Sequence, residues 1–96
     1  MIDILQFKLR HGVDESRFVA VDKAFQEEFA YRQAGLRRRT TARAESGDWL
    51  VVTLWDSAES AEAAASNQVG DPTFEELLAC IDPASMRTGR YAELGG

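Results

Sequence analysis

The chain has 96 residues, 45% of them hydrophobic, and a net charge of -5. This length holds one hydrophobic core and excludes two, and the acidic balance excludes a general nucleic-acid binder, whose affinity rests on Lys and Arg neutralising phosphates. No apolar run approaches the roughly 20 residues of a membrane span, and Asp3, Lys8 and Arg10 break the amino-terminal stretch where a secretion signal must be apolar.

Residues 1–96 therefore read as a single cytoplasmic domain. From Ile2 to Arg10 side chains alternate, with Leu5, Phe7 and Leu9 on one side and Ile4, Gln6, Lys8 and Arg10 on the other, which predicts a strand. Asp14 offers a helix N-cap, and Phe18, Val21, Phe25 and Phe29 recur at helical spacing to about Gln33. Gly35 suits a left-handed helix terminus, Leu36 to Glu45 reads as a second strand, and Ser46-Gly47-Asp48 turns it into a third, Trp49 to Trp55. Asp56 or Ser57 caps a helix rich in alanine, with Glu59 three residues after Asp56 as in a capping box. Asp71-Pro72 starts a further helical segment carrying Phe74, Leu77, Leu78 and Ile81, which Pro83 ends. Ser85 to Leu94 suits an edge strand.

The order βαββαβ predicts an α+β fold, a ferredoxin-like subunit with a four-stranded antiparallel sheet and helices on one face. The third strand is apolar on both sides, with Trp49, Val51, Thr53 and Trp55 opposite Leu50, Val52 and Leu54. Two helices cover only one side, so a second copy of the chain is the expected cover for the other.

Chemistry-bearing motifs are few. Glycine-rich phosphate loops, nucleophile elbows and Cys/His clusters at metal spacing are all missing from the sequence. Cys80, the only cysteine, reads as a small helix residue inside the core, and His11, the only histidine, as a loop residue. Period two puts Arg37, Arg39 and Arg43 on one strand side and Arg38 on the other, a set that reads as charge paired with the abundant carboxylates at the surface. RNA-recognition domains share the element order, but Asp48-Trp49-Leu50-Val51-Val52 lacks their basic and glycine-aromatic pattern. Trp55 ends its strand just before the alanine-rich helix, whose small side chains leave room for a ligand beneath it.

Gly35-Leu36-Arg37, Trp49 to Leu54, Trp55-Asp56-Ser57-Ala58-Glu59-Ser60-Ala61, Asp71-Pro72 and Ile81-Asp82-Pro83 together resemble the antibiotic biosynthesis monooxygenase family of dimeric α+β barrels. The resemblance implies a homodimer, a pocket between sheet and helices in each subunit, and oxidation of an aromatic substrate without metal or flavin. It makes Trp55 the catalytic candidate. The family's asparagine, tyrosine and arginine places fall at Val51, Ala61 and about Leu78. The haem-ligating and haem-distorting places of related enzymes fall at about Phe74 and Ala64, so no haem, other cofactor or metal is expected. The expected pocket is apolar, is lined by Val51, Trp55, Ala61, Phe74 and Leu78, and accepts an aromatic or apolar small molecule. Two readings stand open at this point: a cofactor-independent monooxygenase, and a non-catalytic dimeric binding or structural module.

Overall fold

A computed structural model describes residues 1–96. Strands β1 (Ile2–Phe7), β2 (Leu36–Arg43), β3 (Trp49–Trp55) and β4 (Arg87–Tyr91) form one antiparallel sheet in the order β2-β3-β1-β4. Helices α1 (Glu15–Glu28), α2 (Ala58–Asn67) and α3 (Pro72–Cys80) complete the βαββαβ order, with α2 and α3 as two segments of the second helical region. The ferredoxin-like α+β architecture is thus the one expected. No helix is long and apolar enough to cross a membrane.

The core forms where α1 and α3 cover the sheet. Phe18 is fully buried and meets Phe7 and Trp49 edge to face, with ring centroids 5.4 and 4.7 Å away. Phe25 stacks on Phe29 at 5.3 Å, and Leu77, Cys80 and Ile81 close the layer. Burial pushes the Cys80 thiol above its ordinary pKa, as befits a small packing residue.

Several boundaries differ from the sequence expectation. β1 ends at Phe7, and Leu9 makes only an isolated bridge to Ile81, because the chain there leaves β3 to meet the end of α3. α1 stops at Glu28 and continues as a short 3-10 turn, Ala30–Arg32. α2 is capped by Ser57, whose hydroxyl accepts from the Ser60 N–H at 3.1 Å, so Glu59 does not occupy the capping-box position. The Asp71 cap and Pro72 start of α3 are as expected. A β-bulge between Leu36 and Arg38 breaks the alternation in β2: Leu36 pairs with Trp55 while Arg38 pairs with Leu54, leaving Arg37 as the extra residue. Arg37 therefore lines a recess with Arg38, Leu54 and Glu93 instead of sharing a side with Arg39.

The bulge brings Leu36 and Arg39, three residues apart, onto the helix side. Gly35 just before it has φ of 85°, and a side chain there would overlap Ser60 and Asp56, since β2 and α2 begin against each other. On the far side of the sheet Ile2, Ile4, Leu50, Val52 and Leu54 are half-buried with no element of the chain over them.

Candidate functional site

Between the sheet and α3 lies a cavity of about 610 Å³, with Thr88, Gly89 and Arg90 of β4 along its border. Its apolar wall comes from Leu5, Phe25, Val51, Phe74, Leu77, Leu78, Ile81 and Met86. A smaller cavity of about 140 Å³ adjoins it under α2, bordered by Trp55, Ala61, Ala64, Ala65, Phe29 and Leu36. Phe25, Arg39, Thr53, Asp3 and Gln68 border both.

The five residues singled out in the sequence are thus divided. Val51, Phe74 and Leu78 line the larger cavity, while Trp55 and Ala61 line the smaller. The five fall on two cavities that adjoin. The reason is the strand phase: Val51 and Trp55 share a side, but Thr53 lies between them and is the middle of a polar row.

That row crosses the whole sheet. Arg39 on β2 is opposite Thr53 on β3, Thr53 is opposite Asp3 on β1, and Asp3 is opposite Arg90 on β4. All four border the larger cavity, so its floor is charged rather than purely apolar as expected. Asp3 accepts from the Arg90 guanidinium through both oxygens, at 2.7 and 3.2 Å, and this bond holds the Arg90 pKa above its ordinary value. Glu62 on α2 stands 3.7 Å from the same guanidinium.

Arg39 is held differently. It donates to Asp22 at 2.7 Å and to Gln26 at 3.2 Å on α1, and its guanidinium carbon lies 5.1 Å from the centre of the Phe25 ring. Both Arg39 and Asp22 are 7% exposed, and Thr41 donates to the second Asp22 oxygen at 2.7 Å. The pairing with a carboxylate is as read from the sequence, but it lies inside the protein. Arg43 pairs with Glu15 at the surface, at 3.2 Å.

Trp55 is 7% exposed, and its indole N–H meets no acceptor in the chain. A buried donor left unmet costs about 1–3 kcal/mol, a cost that a ligand acceptor would remove. Trp55 is otherwise fixed through its backbone, which donates to Met1 at 2.8 Å and accepts from the terminal amine at 3.2 Å.

Sequence reasoning passed over Asp3, Thr53, Gln68 and Arg90, and it placed Arg39 at the surface. A signal was present for two of them: Asp3 shares the inward phase of Leu5 and Phe7, and Thr53 that of Trp49, Val51 and Trp55. Polar residues in the buried phase of a strand are costly unless paired or used.

The fold is that of a ferredoxin-like α+β subunit. Among solved structures, the cofactor-independent oxygenase SnoaB of Streptomyces nogalater superposes with a TM-score of 0.80 at 20% identity, over 99% of this chain and 93% of SnoaB. A Nitrosomonas europaea protein described as a candidate antibiotic biosynthesis monooxygenase gives 0.75 at 14% identity, over 98% of each chain. A dimeric ferredoxin-like protein from an uncultured marine organism gives 0.70 at 16%, over 99% of this chain and 95% of that one. These likenesses establish the shared fold. No family model matches the sequence, and no curated protein sequence does.

Proposed function

We propose that the protein is a homodimeric oxygenase that binds a flat, phenolic aromatic molecule in the cavity beside β1 and β3 and oxidises it with dioxygen alone. The observation that carries this reading is the polar row Arg39-Thr53-Asp3-Arg90 laid across an otherwise apolar cavity floor. Apolar walls suit aromatic rings, and a few fixed charges orient their oxygen substituents. The charges also answer an objection from sequence. Val51, Ala61 and Leu78 are apolar where the family resemblance implies asparagine, tyrosine and arginine, yet Arg39 brings a guanidinium to the same space from β2. Trp55 supplies an unmet donor in the adjoining cavity. The cofactor-independent activity of SnoaB, on a like fold, supports the choice of reaction.

A homodimer is supported by the uncovered apolar face of β1 and β3 and by the dimeric relative of similar fold. Two copies meeting through this face bury it on both sides. Light scattering on the purified protein is expected to give twice the chain mass, and Val52→Lys to give the monomer. A wild-type monomer at micromolar concentration would sink the dimer.

For the reaction, the protein is incubated in air with reduced polycyclic phenols while oxygen uptake and quinone absorbance are followed. Uptake above buffer that falls with Trp55→Phe is expected. The second reading, a dimeric binder without catalysis, is favoured by the three apolar replacements, and predicts binding with no oxygen uptake.

A further inference from the structure

We propose that Asp3 is the catalytic residue that takes the substrate's proton, an inference that rests on the oxygenase reading. Dioxygen reacts slowly with a neutral, closed-shell aromatic and readily with its anion, so a proton must first leave the substrate to an acceptor within reach. The ionisable residues bordering the larger cavity are Asp3, Arg39 and Arg90, and those bordering the smaller are Asp3 and Arg39. A guanidinium stays protonated and accepts nothing. His11, Cys80 and both tyrosines border neither cavity. Asp22 lies behind Arg39, and its two oxygens are occupied by Arg39 and Thr41.

Asp3 is the remaining acceptor, and its setting suits the task. Its side chain is 30% exposed, and each carboxylate oxygen keeps a lone pair beyond the one given to Arg90. The Arg90 fork holds the carboxylate in one orientation. Arg39 stands two strands away on the other side of Thr53 and borders the same cavity, so a tricyclic ligand lying across Thr53 extends from Asp3 toward Arg39. An aspartate removes protons from carbon when a nearby donor holds the resulting oxyanion, and the Arg39 N–H groups not given to Asp22, Gln26 and Thr41 take that part.

The chemistry balances with dioxygen as the only oxidant. Asp3 takes one proton from a ring methylene, and the electron pair left on carbon spreads to the ring oxygen held by Arg39. The anion reduces dioxygen and a carbon–oxygen bond forms, giving a peroxide that takes the proton back from Asp3. Asp3 then removes the second proton from the same carbon as the carbonyl closes and the oxygen–oxygen bond breaks. The departing hydroxide takes this proton and leaves as water. One methylene and one dioxygen become one carbonyl and one water.

The test separates proton removal from oxidation. With oxygen excluded, the dimer is mixed in deuterium oxide with a reduced polycyclic phenol bearing a ring methylene, and loss of the methylene proton signal is followed. Wild-type protein is expected to accelerate exchange, Asp3→Asn to lose at least about 100-fold of it, and Asp3→Glu to recover part. Ligand binding, read by tryptophan fluorescence, should change only a few-fold in both variants, showing that the cavity is intact. Asp3→Asn exchanging like wild type overturns the proposal, as does oxygen uptake by wild type without anaerobic exchange. Exchange that requires Asp3 but is followed by no oxygen uptake in air supports the base and overturns the oxygenase reading.

Discussion

At the end of the sheet where Phe7 and Trp49 lie, Phe18 of α1 meets both rings edge to face. At the opposite end α2 buries only Ala61 and Ala64 against Trp55 and leaves a cavity. The same strands thus serve two purposes along their length, and the polar row lies in the cavity floor between Val51 and Trp55. Large side chains interlock and gain dispersion and hydrophobic stability, whereas alanines fill little and leave volume for a ligand. The larger cavity lies between these ends and takes Phe25, Val51, Leu77 and Ile81 of the packed core as part of its wall.

The comparison breaks most easily at the packed end. Phe18→Ala removes the ring that joins Phe7 to Trp49 and is expected to cost about 3–5 kcal/mol in denaturant unfolding. Cys80 should then react with an alkylating reagent that the intact protein excludes. A loss below about 1 kcal/mol would mean that the two ends are packed alike. At the cavity end, Ser57→Ala removes the α2 cap and should cost about 1 kcal/mol. Amide exchange should rise in α2 while α1 keeps its protection.

The smallest effect is expected in acid. Hydrogen bonding from the Ser60 hydroxyl holds Asp56 below the usual carboxylate range, and bonding from Thr73 does the same for Asp71. A carboxylate with a lowered folded pKa binds fewer protons folded than unfolded, so its contribution is whole above the unfolded value and fades as pH falls below it. These two residues stand where α2 and α3 begin. Exchange in α2 and the first turn of α3 should therefore increase below about pH 4. Asp56→Asn should flatten the response at α2.

The fold was legible because its signals are repetitive: the period of two in Trp49 to Trp55, the helical spacing of Phe18, Phe25 and Phe29, and the Asp71-Pro72 start. The candidate site was less so. Alternation assigns Arg39 a side but cannot tell that Asp22 and Gln26 on α1 wait to receive it, and it fails at Arg37, where one inserted residue resets the phase. The alignment of Arg39, Thr53, Asp3 and Arg90 depends on the register of three strand pairs, which no local pattern encodes. Its place at the strand end and the family resemblance both make Trp55 a pocket residue. Its separation from Val51, Phe74 and Leu78 required knowing what Thr53 and Asp3 do between them.

The bulge at Arg37 has a consequence for how the chain keeps company with itself. β2 is an outer strand of the sheet, and a flat, regular outer strand is a template on which other chains can polymerise. One surplus residue interrupts that template, and the exposed Arg37 and Arg38 add like charge there. Growth of the sheet sideways into fibrils is discouraged there. The proposed dimer uses instead the broad face of the sheet, where association closes on itself after one partner.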